Sequence, residues 1–391
     1  MFRWLSAPLA CIAVAGNAAS AEQVRIDLIE RQVTPPPILS NLIAPPPDLG
    51  VAGARVALSD IATTGRFLGH EYRLNETIVA PDDDFLAAAS AALADGARLL
   101  VVKAPPADLL ALADLPDAAG AVIFNTAAPD DSLRGDDCRA NVLHTTPSLS
   151  MRADALSQFA LKKQWTDLAM VHGPNPEDAA FADAIRASLT KFGIGLKGEA
   201  DWKFDADMRR VASAEVPLFT QDLPEHDMLI VADERGDFGR YIAYNTWQAR
   251  PLAGSEGIMP RGWSPVVENW GAAQLQGRFR DAAHRDMLVH DFGAWAAVAA
   301  IGEAVTRAGT ADPGALRDYI LSDQFRLAGF LGTPLSFRGW DGQMRQPIPL
   351  VTERAVVNVA PLEGFLHQRS ELDTLGTDLP TTTCTKFGVA R

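Results

Sequence analysis

Arg98-Leu-Leu-Val-Val-Lys103, a helical run from Asp108 to Ala118, and Ala121-Val-Ile-Phe-Asn125 form one strand, helix, strand unit that decides the fold. Two short apolar runs joined by a helical crossover of this length suit neighbouring parallel strands buried on both faces. In open α/β sheets a ligand lies beyond the carboxyl ends of such strands. Here those ends deliver Lys103-Ala-Pro-Pro106 and Asn125-Thr-Ala-Ala128.

The same rhythm extends outward in both directions. Val24 to Ile29 alternates as a strand, and the prolines of Thr34-Pro-Pro-Pro37 and Ala44-Pro-Pro-Pro47 make residues 30–49 a loop. A helix is expected from Val51 to Thr63 with Gly65 as its stop, then a strand from Tyr72 to Val79. Asp82-Asp-Asp84 reads as the acidic cap of the next helix.

Beyond the opening unit, strands are expected at Asn141–Thr146, Asp167–His172, Gly198–Phe204, Asp227–Asp233 and Pro251–Gly257. Helices alternate with them at Ser150–Lys163, Glu177–Phe192 and Phe238–Trp247. Three further helices follow at Glu268–Ala283, Asp291–Ala308 and Pro313–Ser322. A strand with a tight turn at Gly332–Gly342 and a hairpin at Gln346–Val359, turning at Thr352-Glu-Arg354, close the pattern. The alternation predicts α/β layers with mostly parallel sheets, and 391 residues favour two domains.

Residues 1–21 read as a secretory signal peptide: Arg3, an apolar core from Leu5 to Ala15, and Ala19-Ser-Ala21 before a cut at Glu22. A lipoprotein anchor at Cys11 fits poorly, because Pro8 stands where an aliphatic residue is expected. The formal net charge is −14, and loss of Arg3 with the leader takes it to −15. Such a chain should avoid nucleic acid and anionic membranes, and an anionic ligand would need a local basic cluster. Cys138 and Cys384 remain as an even pair, which in an oxidising compartment points to a disulfide; two separate buried thiols are the alternative. The seven histidines show no metal-ligand spacing, and no nucleophile elbow, P-loop or dinucleotide fingerprint appears. No enzyme activity and no metal is therefore expected.

The ordered set of elements resembles the periplasmic solute-binding proteins of the branched-chain amino acid type, partners of ABC transporters. The residues that carry the resemblance are Gly53-Ala-Arg-Val-Ala-Leu58, Thr63-Thr-Gly65, the unit from Leu99 to Asn125, Asp291-Phe-Gly-Ala-Trp295, Gly329 to Phe337, and Asp341-Gly342. The chain is also similar to the subfamily associated with pyrroloquinoline quinone (PQQ)-dependent alcohol dehydrogenase systems. That likeness rests on Thr63-Thr-Gly-Arg-Phe67, Val231 to Phe238, Gly257-Ile-Met-Pro260 with Trp263, and Trp270 to Leu275 with Arg278-Phe279.

The resemblance implies a type I periplasmic binding fold, with two Rossmann-like domains joined by a three-crossing hinge near residues 148, 265 and 340. The domains would be 22–147 plus 266–339, and 148–265 plus 340–391. It implies a monomeric periplasmic protein that binds PQQ, or a similar small aromatic carboxylate, in the interdomain cleft. The cargo would go to an inner-membrane ABC permease or to periplasmic quinoprotein dehydrogenases. A branched-chain amino acid or amide binder, and a sensor or delivery protein docking on a dehydrogenase or receptor, are the alternatives.

PQQ is a flat o-quinone with three carboxylates, so its site needs cations or clustered N–H donors and an aromatic face. Mapped strand ends offer Arg31, Lys103, Asn125, Thr126 and Thr145 on the first domain, and His172, Arg235, Arg261 and Trp263 on the second. Trp263 and Trp295 are the stacking candidates. Lys103 reads equally as a solvated lysine, and Arg235, among Asp233, Glu234 and Asp237, equally as a local ion pair. Glu256 occupies the place where amino-acid binders receive an ammonium group. For a tricarboxylate it must point away or pair with an arginine.

Overall fold

A strand whose successive side chains are all buried must be covered on both faces of its sheet, and Leu99, Leu100, Val101 and Val102 meet that condition. The computed structural model describes residues 22–34, 44–204 and 208–388. The expected leader and most of the first proline-rich stretch lie outside them.

The first half runs β1 (Glu22–Arg31), α1 (Val51–Leu68), β2 (His70–Val79), α2 (Phe85–Ala94), β3 (Leu99–Lys103), α3 (Pro106–Ala113), β4 (Val122–Asn125) and β5 (Val142–His144). Its five strands are parallel, in the order β2-β1-β3-β4-β5. In register, Leu28, Val101, Phe124 and Leu143 form one row across the sheet. That row shares a core with α1, while Leu100, Val102 and Ile123 face Phe85, Leu93, Leu109 and Leu112 of α2 and α3. Alternation along each strand thus feeds two cores.

The second half runs α4 (Leu149–Lys163), β6 (Asp167–His172), α5 (Pro176–Phe192), β7 (Gly195–Asp201), α6 (Ala212–Thr220), β8 (Met228–Ala232), α7 (Gly239–Ile242), β9 (Leu252–Gly254) and β10 (Met259–Pro260). A second parallel sheet, β7-β6-β8-β9, results. The chain then returns to the first sheet with α8 (Ala272–Ala283), α9 (Val289–Ala308) and α10 (Pro313–Ile320). The short pair β11 (Ser336–Phe337) and β12 (Met344–Arg345) adds Phe337 and Met344 to the first core. The hairpin β13 (Ile348–Val351) and β14 (Val356–Ala360) packs Ile348, Leu350 and Ala360 into the second. The chain therefore changes lobes at 345–347, a few residues beyond the expected crossing near 340.

Three other expectations are corrected. α1 runs through Gly65 to Leu68 and ends at left-handed Gly69. Gly65 instead lets the helix touch β2, since a Cβ there would sit 2.5 Å from the Tyr72 ring. The helix expected from Phe238 to Trp247 shrinks to α7, because Tyr244 takes a φ of 66° just beyond it. α6 falls in a stretch where no element was expected, and it carries Pro217 inside it.

The crossings are held by buried polar groups. Arg134 donates to the carbonyls of Ala128, Asp130 and Thr146 and, at 2.8 Å, to Oε1 of Gln343. Gln343 donates in turn to the Thr146 carbonyl, and Gln346 to that of Thr145. The first and third crossings are thereby tied side by side. Cys138 and Cys384 form a disulfide that returns the tail to the first lobe, where Phe387 packs against the core.

Two outcomes follow for stability. Closing a loop of 246 residues should make the bridge worth roughly 2–4 kcal/mol. Urea denaturation of Cys384→Ser should show that loss, and an unchanged midpoint would contradict it. Burial pushes the Asp341 carboxyl up from 3.8 to about 6, against the opposing charges of Arg338 and Arg134. The folded state then holds this proton more tightly than the unfolded chain, so stability falls as pH rises from about 4 to about 6. Asp341→Asn should flatten that part of the melting-temperature profile against pH; parallel profiles would refute it.

Candidate functional site

The carboxyl ends of β4 and β5 and the start of α9 face α4, α5, the loop after β8 and the segment after β10. Between them lies a cavity of about 300 Å³ that both lobes line. Its walls mix polar groups with apolar ones, Ala127, Pro129, Leu149, Ala180, Pro260 and Val289 among the latter. Its ionisable groups are Asp130, Arg152, Glu177, Glu234, Arg261 and His290.

Arg152, one turn into α4, crosses the cleft floor to Glu234, with Nη2 2.9 Å from Oε1 and Nη1 on Oε2. The guanidinium also lies over the Phe181 ring at 4.4 Å. Burial pushes the Glu234 carboxyl up, but Arg152 and a hydrogen bond from Ser255 outweigh it and the net shift is down. Arg152 and Glu234 thus neutralise each other.

Arg261 is different. Its only side-chain partner among the described residues is the Met259 sulfur, 3.0 Å from Nη2. Burial, and then the like charge of Arg152, push its pKa down, with Glu234 and Glu256 opposing. A half-buried guanidinium without a carboxylate partner, facing a cavity, is ready to receive an anionic group. Burial likewise pushes the Asp130 carboxyl up.

Of the ten ligand-binding candidates read from the sequence, Arg261 lines this cavity, and the others serve mostly as structure. Lys103 Nζ is 2.7 Å from Glu30 Oε1, its sheet neighbour in register. Arg31 is bound by Asp108 and by the carbonyls of Ala80, Pro81 and Asp83. Asn125 is fully buried and shapes its own strand-end turn, accepting from the Ala127 and Ala128 N–H groups and donating to the Ala128 carbonyl. Thr126 donates to the Val102 carbonyl, and Thr145 to that of Gly293 on α9, so both sit just behind the cavity wall.

On the second lobe, His172 meets Asp201 at 2.9 Å and Glu199 at 3.4 Å. Arg235 donates to Asn175 beside Asp237. Trp263 and Trp295 are core: Phe292 stacks between them, with centroids 4.7 and 5.6 Å away. Glu256 is not part of the cavity lining; its Cβ lies 3.2 Å from where a Gly239 Cβ would be, and burial pushes its carboxyl up.

Arg152, Glu177, Asp130 and His290 were not expected. Arg152 sits inside a helix and matches no motif. The one available signal was His290 beside Asp291 at the start of a helix already placed at the cleft.

The family model described as periplasmic binding protein matches residues 47–213. The two parallel α/β lobes superpose on a periplasmic binding protein from Burkholderia mallei with a TM-score of 0.65, at 14% identity over 93% of this chain and 99% of that one. This chain has the type I periplasmic binding protein fold.

Similar too is the leucine-, isoleucine-, valine-, threonine- and alanine-binding protein of Brucella ovis in its closed conformation: TM-score 0.66, 15% identity, 87% of this chain and 93% of that one. A solute-binding protein of an ABC transporter from R. palustris, solved in complex with benzoate, gives 0.63 at 12% identity, over 92% and 99%. No significant match exists among curated proteins. Small-molecule sites occur preferentially where two domains meet, which makes this cavity the candidate site.

The altered role of Lys103 is testable. Glu30 is buried and its Oε2 already lacks a partner among the described residues. Lys103→Ala should therefore cost roughly 1–3 kcal/mol of folding stability in urea denaturation. Full stability with lost ligand binding would restore Lys103 as a ligand contact.

Proposed function

We propose that this chain is a periplasmic solute-binding protein of an ABC transporter, without catalytic activity of its own, and that its cleft captures a small carboxylate on Arg261. The observation that carries this is that Arg261 lines the cavity and its guanidinium has no carboxylate partner among the described residues; the same residue also lines a neighbouring groove with Met259 and Trp263. Every other arginine considered for the site is already engaged: Arg31 by Asp108, Arg152 by Glu234 and Arg235 by Asn175. The fold and the match over residues 47–213 support the transport setting. The proposed hinge uses the crossings near 145–148, 260–267 and 345–347, and ligand would draw the lobes together across it.

PQQ, or a similar small aromatic carboxylate, is the ligand we propose. Apolar lining at Pro129, Leu149 and Pro260 would offer contact to a planar ring, and Arg261 would suit one carboxylate. Among the described residues no Phe, Tyr or Trp lines the cavity, so ring stacking on Trp263 or Trp295 is replaced by contact with aliphatic walls and the His290 imidazole. Supply of PQQ to a quinoprotein dehydrogenase, in place of uptake, would use the same site.

Titration of the purified protein with PQQ, benzoate and a leucine and amide panel tests this. Binding of a carboxylate should raise the melting temperature. Arg261→Ala should weaken that binding by roughly 1–3 kcal/mol. If no carboxylate shifts the melting temperature of the wild type, or if Arg261→Ala binds as well as wild type, the reading is wrong. Tighter binding of leucine than of any aromatic carboxylate would move the ligand class to amino acids.

A further inference from the structure

Resting on the reading that the cleft holds a carboxylate, the geometry points to His290 as the residue that selects among such ligands, by accepting a hydrogen bond from a neutral N–H or O–H group of the ligand. His290 is the second residue of α9 and lines the same cavity as Arg261. Its Nδ1 lies 3.4 Å from the Thr126 carbonyl oxygen. A carbonyl oxygen only accepts, so the proton of the neutral ring is on Nδ1 and Nε2 presents a lone pair. Nε2 has no protein partner among the described residues and is not sealed from solvent.

The surroundings keep the ring neutral. Burial, then the charge of Lys103, push the imidazole pKa down, and Arg261 adds to this. The same charges decide what kind of donor fits. A ligand ammonium group at Nε2 would meet the charge of Arg261, which has no carboxylate partner among the described residues, while Lys103 is paired with Glu30; an uncharged N–H or O–H meets no such repulsion.

Beside the carboxylates of Asp130, Glu177 and Glu234, this cavity of about 300 Å³ offers donors at Arg261 and an uncharged acceptor at His290. The ligand class that satisfies both is a carboxylate with a neutral donor close by, such as a pyrrole-type or hydroxylated carboxylate. The pyrrole edge of PQQ has this arrangement. A carboxylate lacking the donor would leave Nε2 desolvated and unpaired, which is how polar sites reject near-isosteres.

The test compares pyrrole-2-carboxylate, furan-2-carboxylate and proline by ligand-observed NMR titration. Furan replaces the ring N–H by an oxygen, and proline replaces it by an ammonium centre. The wild type should prefer pyrrole-2-carboxylate over furan-2-carboxylate by about tenfold or more. His290→Ala should bring that ratio close to one. His290→Gln, whose side-chain carbonyl also accepts, should keep part of it.

Equal binding of the two heterocycles by the wild type, a ratio that survives in His290→Ala, or a preference for proline would each overturn the inference. If the heterocycles bind equally and Arg261→Ala weakens both, only the role of His290 falls. If neither binds and Arg261→Ala changes nothing, the carboxylate reading falls with it.

Discussion

A single buried guanidinium ties the first crossing to the segment that leads into the third. Arg134 is 2% exposed and spends its N–H groups on the strand-end loop after β4, on the first crossing and on Gln343 of the third. Burial pushes its pKa down to about 10, with Asp131, Asp341 and Asp130 opposing, so it stays charged at neutral pH. An arginine suits this place because its planar fork donates in several fixed directions at once. Pro129, Asp130, Thr146 and Pro147, which form the first-lobe wall of the cleft, are therefore placed by the same network that orders the crossings.

The cleft itself is not cationic: Asp130, Glu177 and Glu234 line it beside Arg152 and Arg261, so an anion there would depend on Arg261 locally. A chain with a net charge of −14 repels anions at a distance, so a site for one must be built from locally unbalanced cations. Most of the cations considered for the site are paired. Glu30 takes Lys103, Asp108 takes Arg31 and Glu234 takes Arg152, while Arg261 is left facing the cavity. The Arg152 and Glu234 pair spans α4 and the loop after β8, fixing the floor against which Arg261 is held.

How much of this is legible in the chain depends on the range of the interaction. Strand runs such as Leu99 to Val102 declare themselves, since burial on both faces demands uninterrupted apolar residues. The hairpin turning at Thr352 is equally local. Gly65 misleads because a small residue serves both to end a helix and to let one approach a strand, and only the neighbour Tyr72 decides between them. The partner of Lys103 is invisible until β1 is known to lie beside β3, which brings Glu30 opposite it. Trp263 and Trp295 are absorbed by Phe292, which is three residues from Trp295 on α9 and so shares its face. Arg152 belongs to the cleft only because α4 begins at the first crossing, a tertiary fact with no sequence signature.

The central claim is that Arg261 is the carboxylate receiver of a two-lobed cleft. A crystal structure of the protein with a bound aromatic carboxylate tests it most directly. The account predicts a carboxylate oxygen about 2.7–2.9 Å from the Arg261 guanidinium, between the two lobes. A ligand seated elsewhere, or an Arg261 turned onto Glu234 or Glu256 with the ligand held by other groups, would contradict it.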